Sequence, residues 1–202
     1  MNLDRIVLAS ASPRRLELLR SLHLDVTVVP SAYDEPEHPG IAPHELAVAH
    51  ARNKAGDVRR AYARDVVVAA DTVVDVDGLA YGKPKDALDA RRMLQILSGR
   101  THRVHTAFAV SVPQRDDLVE ACSSTAVTFY ALDDAEIARY VAGGEPMDKA
   151  GAYGIQGYGA TLVERIDGDF YTVMGFPLAR FVRSLRRLGF TFPVANPHAK
   201  SP

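Results

Sequence analysis

Short apolar runs alternate with amphipathic stretches along most of the chain, and the two periods separate strands from helices. Residues 5–9 (Arg5-Ile-Val-Leu-Ala9) make a continuous apolar run of strand length. After Ser10-Ala-Ser12, Pro13 opens a run in which Leu16, Leu19 and Leu22 recur at helical spacing. Ser12 suits the N-cap and Pro13 the first helical position. Residues 26–29 read as a second strand, ended by Pro30, and residues 31–40, with Asp34, Glu35 and Glu37, as an acidic loop. Pro43 then opens a long helix expected to reach about Arg64. Residues 65–70 form a buried strand expected to end at Asp71-Thr72, and residues 73–75 and 79–81 flank Asp77-Gly78 as a hairpin.

Beyond the break at Gly82-Lys83-Pro84, Ala87, Ala90, Met93, Leu94 and Leu97 lay down the apolar stripe of a helix. Residues 104–112 alternate, with Val104, Thr106, Phe108, Val110 and Val112 on one face, and residues 121–130 supply a partner strand. A short helix over 133–141 takes its cap from Asp133 or Asp134. Residues 143–159 are glycine-rich and irregular, 162–166 a strand, and 177–188 a basic helix. Residues 191–202 read as a frayed tail. Strands and helices mixed in this way, several strand pairs being antiparallel, predict an α/β (mixed α+β) fold on a mixed sheet, with residues 1–190 as a single domain.

The composition narrows the function classes. The chain has 202 residues and a formal charge of −1, so it has no global attraction to nucleic acid or to an anionic membrane. Any phosphate binding must come from a local cluster. A lone Cys122 excludes an intrachain disulfide and a cysteine zinc cage, and fits a reducing cytoplasm. Neither a secretory signal nor a membrane span is visible, so a soluble cytoplasmic protein is expected.

Candidate chemistry lies at punctuated positions. Ser10-Ala-Ser12-Pro13-Arg14-Arg15 joins a strand to a helix, where free N–H groups, hydroxyls and guanidinium forks suit phosphate oxygens. The plain alternative is a helix cap followed by two solvated arginines. Asp71, at an expected strand end, can hold a divalent cation or act as a base toward water, or it is merely a turn residue. Lys54, Lys83 and Lys149 each read singly as surface lysines, and holding a triphosphate needs several such cations to converge. Gln156, among Gly151, Gly154, Gly157 and Gly159, presents a donor and an acceptor that complement O4 and N3–H of uracil or thymine, although spacing alone favours a glycine turn with a surface glutamine. The order of glycines is not a dinucleotide fingerprint, and no P-loop is present. His102 and His105 stand three apart on a strand, and His44 and His50 six apart on a helix; neither spacing makes a metal pair.

Taken together, LASASPRRLELL, AADTVV, YGKPKD with MLQILSGRTHRVHTA, and EPMDKAGAYGIQGYGATLVERIDGDFYTVMGFPL resemble the Maf family of nucleoside triphosphate pyrophosphatases, from about Ile6 to Leu188. The resemblance implies a two-lobed fold like that of inosine triphosphatases, with a nucleotide cleft in a mixed sheet. It implies divalent-metal-dependent cleavage between the α and β phosphates; Mg²⁺ or Mn²⁺ is expected to be held partly by the substrate phosphates and by Asp71 or Glu35, candidate ligands both. Asp71 matches the proton acceptor; Arg14, Thr72 and Gln156 match positions of substrate selection. Ser10, Arg14, Lys54, Lys83, Asp148 and Lys149 fall in the phosphate- and metal-binding surroundings. The AYGIQGYGA segment resembles the branch acting on dTTP and UTP, or on modified pyrimidine nucleotides. The expected partners are that nucleotide and, at most, a second copy as a homodimer; nucleic acid and membrane are not expected. The rival expectation is a nucleotide-binding regulator of septum formation that acts through a partner.

Overall fold

A computed structural model describes residues 1–36 and 40–194. Glu37 of the acidic loop and positions 195–202 of the expected tail lie outside the described residues. Seven strands build one mixed sheet in the order β2-β1-β3-β5-β6-β7, with β4 added to β3. They are β1 (Arg5–Leu8), β2 (Asp25–Val28), β3 (Val67–Val76), β4 (Leu79–Tyr81), β5 (Thr101–Ser111), β6 (Val119–Phe129) and β7 (Val163–Asp167). β1 runs parallel to β2 and β3, and every other pairing is antiparallel. The α-helices are α1 (Pro13–Arg20), α2 (Pro43–Arg59), α3 (Ala87–Leu97), α4 (Asp134–Ala142), α5 (Phe170–Met174) and α6 (Leu178–Arg186), and the stretch 143–159, expected to be irregular, holds 3₁₀ turns at Glu145–Asp148, Ala150–Ala152 and from Gly157 on to Leu162.

Burial of apolar side chains divides into three clusters. On one face of the sheet, Ala47, Ala51, Ala55 and Val58 of α2 pack on Val67, Ala69, Val73, Ala107 and Ala109. Those alanines, at i, i+4 and i+8, let the helix axis come close to the strands. The opposite face carries two cores. Leu18 and Leu19 of α1 join Phe176, Phe181 and Leu185 over Val68, Ala70, Phe108 and Val110. Farther along the same strands, α3 and α4 place Met93, Leu94, Leu97 and Ile137 over Val74, Val76, Val104 and Phe129. Between Ala70 and Val74 on that face stands Thr72, hydrogen-bonded to its ladder partner Thr106 at 3.0 Å. A polar rung thus separates the two cores.

Several expected boundaries move, each for a physical reason. β3 does not end at Asp71-Thr72 but runs on to Val76, because antiparallel β5 pairs with it continuously from Val67 to Asp75. Asp71 is therefore mid-strand. α2 stops at Arg59 rather than near Arg64, giving way to turns closed by Ala61 N–H to the Val58 carbonyl and Asp65 N–H to the Tyr62 carbonyl. The alternation of β5 suggested one buried face; both are buried, since α2 covers the second. Ser12 occupies the N-cap of α1 without capping through its hydroxyl; instead Ser10 Oγ accepts from Ser12 N–H. α5, unforeseen, starts where the Asp169 carboxylate accepts from Thr172 N–H and Oγ1. Thr191, assigned to the frayed tail, bridges Asn2, and Phe192 packs against Phe181. The Asp77-Gly78 hairpin is as expected, with both residues at positive φ (54° and 80°) as a type I′ turn requires.

Candidate active site

The sheet itself opens the cleft. β1 pairs with β3 only at Val67 and Val68, and β4 joins the same edge at Val74. Between those points that edge of β3 has no ladder partner among the described residues. Asp71 and Thr72, which point to opposite faces, are both reachable from the gap. The chain leaving β1 runs past it as Ala9-Ser10-Ala11-Ser12 into α1. The cleft, of about 400 Å³, is also lined from the loop before α2, from the break after β4 and from the glycine-rich segment. Ligands collect at such carboxyl ends of parallel strands.

Asp71 shares the face of Ala69 and Val73 and so looks toward α2. Lys54 is within one turn of Ala51 and Val58 on the buried side of that helix, and its Nζ lies 2.6 Å from Asp71 Oδ1. The same ammonium takes Glu35 Oε1 at 2.6 Å. Lys54 is 9% exposed and Asp71 5%, which overturns the reading of Lys54 as a surface lysine. The two carboxylates are pushed in opposite directions. Burial raises Asp71 above the ordinary carboxylate range, against the opposing charges of Lys54 and Arg15. Burial also pushes Glu35 up, but the Lys54 hydrogen bond and charge, helped by His50 and Lys83, outweigh it and hold the carboxyl low. One acid is thereby made more basic while its neighbour stays anionic, a division common where protons move.

For Arg15 neither open expectation, a phosphate fork or a solvated side chain, describes what the structure shows: its hydrogen bonds go to the protein itself. Its Nε donates to the Gly175 carbonyl (2.9 Å), NH1 to Ser10 Oγ (3.1 Å) and NH2 to Thr72 Oγ1 (3.1 Å). Burial lowers its pKa, opposed by the charges of Asp71 and Glu35. Arg15, Leu18, Leu19 and Leu22 share one helix face, so the helical period itself carried the signal. Arg14, by contrast, reaches Asp148 Oδ2 at 2.9 Å, and Lys149 Nζ reaches Asp148 Oδ1 at 2.7 Å. Their contact and charge hold Asp148 below the ordinary range in spite of the rise that burial imposes. Lys83 is exposed at the cleft, and its charge acts on Glu35. Ser10, Arg14, Glu35, Lys54, Asp71, Thr72, Lys83, Asp148, Lys149 and Gln156 all border this one cleft.

His102 Nε2 meets Tyr153 Oη at 2.7 Å, while His105 bonds Ser124 and Asp75. Among the described residues no group of three or more histidine, cysteine or carboxylate side chains is gathered as for a metal. Glu35 and Asp71 nevertheless converge on one cation, the Lys54 ammonium, with oxygen donors only. That set fits a hard ion that draws its remaining ligands from phosphate and water, as Mg²⁺ and Mn²⁺ do.

Residues 5–188 match the family described as Maf-like protein. The chain belongs to the Maf family. Among relatives of this Maf protein, dTTP/UTP pyrophosphatase of Geobacter sulfurreducens is 49% identical over 94% of this chain and 99% of its own. The protein of the same name from Bacillus velezensis is 46% identical over 90% and 95%. The Ham1 protein of Staphylococcus aureus is a loose structural neighbour, with 18% identity, a TM-score of 0.41 and coverage of 73% of this chain and 85% of that one. No described helix is long and apolar enough to cross a membrane.

Proposed function

We propose that this Maf-family chain is a nucleoside triphosphate pyrophosphatase that hydrolyses dTTP and UTP to the monophosphate and diphosphate. The observation that carries it is the meeting, in one cleft, of a buried raised-pKa carboxylate, cations from four distant segments and Gln156. Names of relatives 43% to 49% identical agree, and do not favour the regulator reading.

Asp71 accepts the proton of the attacking water, its basicity enhanced by burial. Arg14, Lys83 and Lys149 take phosphate oxygens, the first and last exchanging their contact with Asp148 for the substrate. Arg15 fixes Ser10 and Thr72 so that the loop after β1 keeps its shape. Gln156 pairs with the uracil or thymine edge. Glu35 and Asp71 would hold Mg²⁺ or Mn²⁺, which supplies charge neutralisation as pyrophosphate leaves. The reading is of a cytoplasmic enzyme, working alone or as a homodimer, on a small nucleotide rather than on nucleic acid or at a membrane.

Pyrophosphate release from a panel of nucleotides, with and without EDTA, tests it. Release from dTTP and UTP well above the purine triphosphates, abolished by EDTA and restored by Mg²⁺ or Mn²⁺, is expected. No release from any triphosphate would overturn the assignment.

A further inference from the structure

Residues 150–159, the part of the glycine-rich segment that carries Gln156, are held at several points by two residues that precede them. Glu145 Oε1 accepts from Gly159 N–H at 3.1 Å and from Tyr140 Oη at 2.9 Å, and Oε2 accepts from Tyr158 N–H at 3.1 Å. Tyr140 Oη in turn accepts from Gly154 N–H at 3.2 Å. The N–H groups on both sides of Gln156 are thus gathered onto one carboxylate and one phenol. The glycines follow from this clamp. A Cβ on Gly159 would stand 2.3 Å from the Gly154 carbonyl and 2.6 Å from Tyr140 Oη. Gly157 has φ of +66°, and its Cβ would lie 3.0 Å from Glu145 Oε2. Tyr140 itself is anchored in the core of α3 and α4, so the clamp ties the loop to a rigid body.

We infer that Glu145, with Tyr140, is a positioning residue for base selection, setting where the Gln156 carboxamide stands without touching the nucleotide's reacting atoms. This rests on the reading of Gln156 as the group that meets the base.

The test compares wild type with Glu145→Ala, Glu145→Gln, Tyr140→Phe, Gln156→Ala and the double variant Glu145→Ala/Gln156→Ala, measuring kcat and KM for UTP and CTP. Glu145→Ala leaves clustered N–H groups unpaired, and about a ten- to hundredfold loss in kcat/KM for UTP is expected, carried by KM. The UTP-over-CTP ratio should fall with it. Glu145→Gln retains Oε1 but sets an amide against Tyr158 N–H, so it should recover part of the loss; Tyr140→Phe should fall between. The double variant should discriminate no worse than Gln156→Ala alone, because both changes act through one carboxamide. Should Glu145→Ala misfold on heating, Glu145→Gln and Tyr140→Phe carry the same comparison. Wild-type discrimination in the Glu145 and Tyr140 variants, beside altered discrimination in Gln156→Ala, would overturn the positioning role alone. Unchanged preference in Gln156→Ala would overturn the base reading and the positioning with it.

Discussion

The two sides of the cleft are made in different ways. Around Asp71 the working groups are side chains, placed by ladder register and helix period: Lys54 by the face of α2, Arg15 by that of α1, Asp71 and Thr72 by neighbouring positions in β3. Around Gln156 the work is done on backbone, with Glu145 and Tyr140 gathering N–H groups of a segment whose only regular structure is short 3₁₀ turns. The first side handles charge and needs stiffness; the second reads a base edge and needs shape. Damage to one should therefore appear in turnover, and damage to the other in preference.

The largest effect belongs to the charged side. Asp71→Asn keeps the volume but removes the base, and kcat for UTP should fall about 10²- to 10⁴-fold with the nucleotide preference intact. A loss of preference without loss of rate would break the division between the two sides.

Next comes acid sensitivity on the other side. His102, 3% exposed, is edge-on to Phe129 and Tyr153 and holds the Tyr153 hydroxyl just before Gly154. Burial lowers its pKa to about 4 from 6.5, and its Nδ1 has no hydrogen-bond partner among the described residues. The folded state thus binds the proton less readily than the unfolded one. Its stability is whole above pH 6.5 and is lost progressively as the pH falls toward 4, by about 3 kcal/mol in full. Urea unfolding at pH 7 and pH 4.5 should show a steeper loss in the wild type than in His102→Gln; equal slopes would show that His102 carries no such linkage.

A smaller effect is expected of Gly159→Ala. Its methyl group would meet the Gly154 carbonyl and Tyr140 Oη, and about 1–3 kcal/mol of stability should be lost in thermal unfolding. In the surviving folded protein, UTP-over-CTP preference should drop more than kcat.

Much of this was legible in the chain before its structure. The β1–turn–α1 unit announced itself through an apolar run, Ser12 and Pro13, and the α3 stripe through its period. Asp71 stood out beside an apolar run and the lysines beside glycine or alanine, whereas Glu35 and Asp148 became candidates only through the family resemblance. Their roles in space were harder. Asp71 looked like a strand terminus because a carboxylate interrupts an apolar run; only the length of β5 shows that the ladder continues through it. Lys54 read singly as a surface lysine, and a solvated Arg15 stayed an open alternative, because lysine and arginine are ordinarily exposed, although both lie on apolar helix faces. The Glu145–Tyr140 clamp had no local signature, since its partners are backbone groups more than ten residues away.

An unpartnered stretch of strand such as 69–73 of β3 is, in most proteins, an invitation for a foreign chain to dock and seed aggregation. Here a buried ion pair and an arginine crowd that margin, and an intruding strand would have to strip the water and partners from all three. The groups that receive a nucleotide therefore also insulate the molecule against its own kind.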